Sequence, residues 1–295
     1  MADGAKDPVL GEAGAVELLR RTWPWLRWRS LRYIDDGWDH EVLVLDDRLV
    51  VRIPNEDYYR DVLTAERILV DRLAGTVRAA LPQVRWAAGN RISVHGYVPG
   101  VHLTPDLLAA LPDRDRDEIA DQLAEVLTAI HAVDPADLVE TAPWTVEDEQ
   151  AEIARLAATG LPRLLSATEL AAVEQILADV PALLAEAPAA VLVHGDVYED
   201  HLLWDDRARR LGLIDFSDLS TGDPAIDFAE LVDYGRPFVE DVVRRSGGDA
   251  ALVDRAVRYA RWLAVYLMTE HLRIQKTSFD VARIPFDRRV GIPSG

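Results

Sequence analysis

Apolar and polar positions follow two different periods along this chain, and the change from one to the other divides it. Residues 8–22 carry an amphipathic helical pattern. Residues 32–45 and 48–53 read as strands, with Asp46-Asp47 as the tight turn between them. A helix is expected over residues 57–73, where Val62, Ala65, Leu69 and Leu73 share one face. Residues 81–86 and 91–97 read as two more strands, with a turn at Gly89-Asn90. After Pro99-Gly100 the texture becomes helical. Residues 116–131 place Ile119, Leu123, Val126, Leu127 and Ile130 on one side, close to a 3.6-residue repeat. Residues 146–157, 167–186, 224–233 and 249–273 continue as helices. Short apolar runs at 191–193, 202–204 and 211–214 interrupt them and read as buried strands.

The pattern predicts an α+β chain in two lobes, a β-rich part over residues 1–95 and a mostly helical part over 96–295. A cleft between lobes is a natural ligand site. At 295 residues there is enough chain for both cores. No apolar run approaches the roughly 20 residues of a membrane span. The opening Met1-Ala-Asp-Gly-Ala-Lys-Asp7 lacks the basic and apolar regions of a signal peptide. There are no cysteines, so disulfides, thiol catalysis and Cys-based zinc sites are excluded. The expected setting is cytoplasmic, and the expected state is a monomer. The formal charge of −19 argues against nucleic acid as a partner and suits a cationic small molecule.

Three groups suited to phosphoryl transfer sit at the ends of the short apolar runs. Asp196 could act as a base; His201, five residues later, and Asp215, nineteen later, could hold a metal. The same layout occurs in the protein-kinase catalytic loop and its metal-binding Asp. Asp215 follows Leu213-Ile214, a setting too apolar for an unpaired charge. His194 reads as structural. Asp223 before Pro224 reads as a helix cap or as a brace for the catalytic loop. In the N-terminal part, Arg52 points away from the face shared by Leu49, Val51 and Ile53. Glu66, fourteen residues on, lies on the apolar face of its helix and needs a partner, so the two are expected to pair. The lysines are Lys6 and Lys276, both outside these elements.

His194-Gly195-Asp196, His201, Ile214-Asp215-Phe216, Gly222-Asp223-Pro224 and Asp227 together resemble the C-lobe signature of the aminoglycoside phosphotransferase family of antibiotic kinases. The stretch Gly37-Trp38-Asp39-His40-Glu41-Val42 is similar to its 2'' branch, and His201 to that branch and the macrolide phosphotransferases. The resemblance spans residues 30–270 and implies a protein-kinase-like fold. It implies ATP or GTP as donor, with Mg²⁺ held by His201 and Asp215 and the acceptor hydroxyl deprotonated by Asp196. Arg52, braced by Glu66, would contact the phosphates, in place of the family's usual lysine. Gly37 would lie in the phosphate-facing turn, and residues 93–98, with His95 and Tyr97, at the hinge beside the purine.

On the acceptor side, Glu230 and Asp233 share a helix face, Glu199 lies in the catalytic loop, and Glu270 lies on the last long helix. Together they would form an acidic pocket for the ammonium groups of an aminoglycoside. A macrolide, with one amine, is the alternative acceptor. The substitution at Arg52 also admits a nucleotide-binding pseudokinase.

Overall fold

In the computed structural model, which describes residues 10–34, 40–54, 57–89, 91–138, 146–274 and 278–291, the N-terminal part is built on a five-stranded antiparallel sheet. Its strands are β1 (Leu31–Ile34), β2 (His40–Leu45), β3 (Leu49–Pro54), β4 (Val84–Ala87) and β5 (Ser93–Gly96), in the order β1-β2-β3-β5-β4. The Asp46-Asp47 turn forms as expected. Both residues have positive φ, 54° and 47°, and the Arg48 N–H closes the turn on Leu45 O at 3.0 Å. That is the geometry a type I′ turn requires, and aspartate tolerates it.

One side of the sheet packs on α1 (Gly11–Thr22), where Ala15 and Leu19 meet Leu43, Leu45, Val51, Ile53 and Val94. The helix α2 (Asp57–Leu73) crosses the other side. Its Ala65, Leu69, Val70 and Leu73 are buried, but they join the core of the helical part rather than that of the sheet. The two apolar cores therefore do not divide at residue 95.

The chain then runs through β6 (Val101–His102), α3 (Pro105–Ala110), α4 (Asp113–His131), α5 (Val146–Gly160) and α6 (Ala167–Glu186). A strand-rich stretch follows, with β7 (Val191–Val193), β8 (Leu202–Asp205), β9 (Arg210–Leu213) and β10 (Ser220–Gly222). The described chain ends with α7 (Ile226–Ala229), α8 (Arg236–Arg245), α9 (Ala250–Ile274), α10 (Phe279–Ala282) and α11 (Ile284–Val290). α6 starts where its sequence says it should. The Ser166 hydroxyl accepts from Glu169 N, and the Glu169 carboxylate accepts from Ser166 N at 2.6 Å, a reciprocal capping box. Ile119, Leu123, Val126, Leu127 and Ile130 of α4 are all completely buried, as the period predicts.

The single helix expected over 224–233 is broken. α7 gives way to a 3-10 segment, Glu230–Tyr234, and Gly235 at φ 97° ends it. Two distant contacts hold the tighter turn. The Tyr234 hydroxyl donates to Leu103 O, and Arg289 grips Glu230 and Asp233.

The joint between sheet and helices passes close over β8. Gly100 has φ 140°, and a Cβ there would lie 2.9 Å from the carbonyl carbon of Trp204 and 3.0 Å from Leu203 Cβ. Gly100→Ala is therefore expected to lower stability by about 1–3 kcal/mol, read as a lower urea midpoint with an unchanged slope.

Candidate active site

Antiparallel pairing of β7 with β10 delivers His194-Gly195-Asp196 from the end of a buried strand. A single carboxylate fixes this departure. Asp227, fully buried at the start of α7, accepts the His194 N–H at 3.0 Å and the Gly195 N–H at 2.8 Å. His131 Nε2 lies 2.8 Å from the same carboxylate. Gly195 has φ 87°, and a Cβ would fall 2.4 Å from Asp218 O, so glycine is required there. The buried His194 ring leans on Phe216, with centroids 4.6 Å apart, and its Nδ1 accepts the Asp196 N–H at 3.3 Å. Burial pushes its pKa down and favours the neutral ring. Asp223, expected to cap a helix or brace this loop, does neither: α7 begins at Ile226, with Ala225 as its N-cap and no side-chain cap bond. Its Oδ1 accepts the Ala225 N–H at 2.9 Å, and Arg255 pairs with it at 2.7 Å. The brace is Asp227, which the sequence marked as part of the pattern without giving it a role.

The loop closes where Tyr198 O accepts the N–H groups of His201 and Leu202, at 3.0 and 3.1 Å. His201 is thereby set between two carboxylates. Its Nδ1 is 3.2 Å from Asp196 Oδ2 and 2.9 Å from Asp196 O, and its Nε2 is 3.7 Å from Asp215 Oδ2. Two of the three groups singled out by spacing converge on the imidazole of the third. Desolvation opposes a charge on that ring, but Asp196 and Asp215 prevail and push its pKa up to about 10.

Asp215 stands after β9 in a left-handed conformation, φ 59°. Ser217 holds it there, its hydroxyl 2.6 Å and its N–H 3.3 Å from Oδ1. Desolvation works against this carboxylate too, yet Arg52, His201 and His40 hold its pKa well below the usual range. Arg52 reaches it across the cleft. Nη1 donates to Glu66 Oε2 at 2.6 Å; Nη2 lies 2.9 Å from Asp215 Oδ1, 2.9 Å from Ser217 Oγ and 3.3 Å from His40 Nδ1. Glu66 is completely buried, which raises its pKa while Arg52 opposes the rise. The expected Arg52–Glu66 pair is present. The further bonds to Asp215, Ser217 and His40 were not foreseen, because they join residues as much as 165 positions apart.

Several other positions differ from expectation. His95 is buried within the lobe, with Nε2 2.7 Å from Ser93 Oγ and Nδ1 3.0 Å from Pro82 O and 3.7 Å from Glu66. Strand alternation explains this, since Val94 faces the sheet core and Ser93 and His95 face the Glu66 side. Burial, and then Arg52, push His95 down to about 4. The Tyr97 N–H donates to Arg48 O at 2.9 Å, so that donor is committed to the sheet. Gly37 lies outside the described residues.

The acids expected to form an open cationic pocket already hold partners. Arg289 contacts Asp233 through two 2.9 Å bonds and Glu230 at 3.0 Å, while Arg273 contacts Glu270 at 2.8 Å. Glu199 lies close enough to Tyr234 to help raise the pKa of its hydroxyl, behind the larger effect of burial.

The profile described as the phosphotransferase enzyme family matches residues 30–263. In fold, the chain is similar to aminoglycoside 2'-phosphotransferase-IIIa in its GDP complex, with TM-score 0.82 and 20% identity over 95% of this chain and 99% of that one. It is also similar to the streptomycin–ATP ternary complex of APH(2'')-IIa, with TM-score 0.68 and 22% identity over 94% and 100% of the two chains. A macrolide 2'-phosphotransferase from Brachybacterium faecium gives TM-score 0.68 and 20% identity over 95% and 99%.

The Asp227 brace has a pH signature. Burial opposes its charge, but His131 and the Gly195 N–H outweigh burial and hold its pKa below the ordinary 3.8. The unfolded chain therefore binds the proton more tightly, and the stability contributed by the charge is present above the unfolded value and lost as pH falls through the folded one. Asp227→Asn should cost about 1–3 kcal/mol at neutral pH. It should also flatten the loss of stability between about pH 5 and pH 3, measured by urea unfolding at each pH.

Proposed function

The chain belongs to the phosphotransferase enzyme family, and from that premise we propose that it transfers the γ-phosphate of ATP or GTP to a hydroxyl of an aminoglycoside. The nucleotide would sit between a lobe of residues 1–95 and a lobe of residues 96–295. The observation that carries this reading is the convergence of Asp196 and Asp215 on His201, at 3.2 and 3.7 Å. Phosphoryl transfer asks a protein mainly to position groups and neutralise charge. Asp196 is the base: it orients the acceptor hydroxyl and takes its proton.

The donor set fits a magnesium ion once His201 Nε2 gives up its proton, which a cation beside Asp215 would favour. Asp215 commits Oδ1 to Arg52 and Ser217 and turns Oδ2 toward His201 Nε2. Asp215 and His201 are the residues that would hold Mg²⁺, which takes few protein ligands and fills its shell from phosphates and water. When bound, the ion supplies neutralisation of phosphate charge. Arg52 holds a guanidinium beside that carboxylate, where it can face the phosphates as well. The protein would act as a cytoplasmic monomer; among the described residues no helix is long and apolar enough to cross a membrane.

A second acceptor is favoured by one specific observation. Arg289 and Arg273 already compensate Glu230, Asp233 and Glu270. A pocket so neutralised suits a macrolide, whose single amine needs one carboxylate.

Release of ADP or GDP, coupled to a spectroscopic readout, should be stimulated by one of the two antibiotic classes in the presence of Mg²⁺. Silence with both, in protein that binds nucleotide, would remove the proposal. Asp196→Ala should abolish stimulated turnover and leave nucleotide affinity largely intact, and retained turnover would eliminate Asp196 as the base. Asp215→Ala should remove the Mg²⁺ dependence of nucleotide binding in a titration, and unchanged binding would place the metal elsewhere.

A further inference from the structure

Arg289 is a cation buried at an unusual place. Its side chain is 3% exposed, and it lies between Glu230 and Asp233, whose side chains are 14% and 15% exposed. The contact to Asp233 is a two-pronged fork, Nε to Oδ1 and Nη2 to Oδ2, both 2.9 Å, and Nη2 also meets Glu230 Oε1 at 3.0 Å. Such forks are among the stronger charge-assisted contacts. The helix α11 that carries it is itself anchored. Phe286 is 1% exposed, Arg283 pairs with Glu169 of α6 at 2.6 Å, and Arg289 Nη1 donates to Ala260 O of α9 at 3.3 Å.

This cluster is next to the candidate catalytic loop, because Glu230 directly follows α7, whose Asp227 holds the His194 and Gly195 N–H groups. Glu230 is close enough to Asp196 to feel its charge, and Tyr198 of the catalytic loop feels both. Tyr234, whose hydroxyl donates to Leu103 O, lies near enough to Glu199, Asp200, Glu230 and Asp233 to feel their charges, and these side chains form one wall with the cluster. The acids that could receive an ammonium group of an acceptor are therefore engaged by a guanidinium that cannot be deprotonated. The guanidinium is tethered to the same chain, and a tethered partner competes at high effective concentration.

We propose that Arg289 is the specificity-determining residue of the acceptor pocket. It fills the ammonium position that Glu230 and Asp233 would otherwise offer, and so selects acceptors with few amino groups over polycations. This rests on the reading of that wall as the acceptor site and on the second of the two acceptors proposed above, the macrolide. A polyamino sugar must either expel Arg289 or leave an ammonium unpaired, whereas a one-amine acceptor meets neither penalty.

The test compares kanamycin, a polycation, with erythromycin, which has one amine, in wild type, Arg289→Gln and Arg289→Gln/Asp233→Asn. The double variant removes both charges of the fork together and guards against misfolding of the single variant, which leaves two close buried carboxylates. Coupled kinetics gives KM and kcat for each antibiotic, and calorimetry gives kanamycin affinity without any turnover. In Arg289→Gln the KM and the dissociation constant for kanamycin should fall by about tenfold, the effect of one well-placed charge pair, with little change for erythromycin. The double variant should show a smaller gain in the same direction. An unchanged kanamycin-to-erythromycin ratio, in whichever variant folds, overturns the proposal. If neither antibiotic stimulates turnover in the wild type, the proposed phosphotransfer fails. The calorimetric gain or its absence then still decides the role of Arg289.

Discussion

The four-way engagement of Arg52 is the constraint on which the site depends. One guanidinium satisfies a buried carboxylate on α2, the left-handed Asp215 after β9, the Ser217 hydroxyl and the His40 ring. Glu66 and Arg52 are both withdrawn from water, so each would be costly alone. Together they set the distance between the sheet and the catalytic segment. The chemistry of the side chain matters here. A planar fork with separate donors can bond in two directions at once, whereas an ammonium is a compact point charge. The arginine at this position thus goes with a network that uses both of its terminal nitrogens.

On the other side of the cleft, position is set from below. Asp227 holds the backbone of His194 and Gly195, not their side chains, so the path of the chain at Asp196 is fixed before any functional group is placed. Gly195 is tied to this arrangement by the close approach of Asp218 O. Asp196 itself stays part-exposed at the surface of a rigid frame.

How much of this was legible in the sequence follows from the range of each interaction. Period fixed the bounds of α2, α6 and β7, and local spacing brought Asp196, His201 and Asp215 into one cluster. The Arg52–Glu66 pair was legible because both residues broke an apolar pattern and each needed a partner. Period says which face a residue occupies but not what that face meets. His95 lay on a readable strand, yet its partners, Ser93, Pro82 and Glu66, show that it faces inward. Arg289 comes 56 residues after Asp233 and carries no local signal. Asp223 and Asp227 look alike in sequence, and only the fold shows that the first holds Arg255 and the Ala225 N–H while the second braces the loop.

The position of α2 has a further consequence. Its apolar residues Ala65, Leu69, Val70 and Leu73 are sunk in the helical core, while Glu66 among them is tied to the sheet. Proteins open in cooperative units that follow their packing rather than their chain order. If the sheet and α1 were to melt by themselves, α2 would stay behind in the helical core. Loss of the sheet then strands a carboxylate in an apolar wall, where it must take up a proton or draw in water. The cost of that stranded charge is carried by the partly unfolded state. It widens the gap between folded and half-folded molecules and makes the two lobes come apart together rather than one after the other.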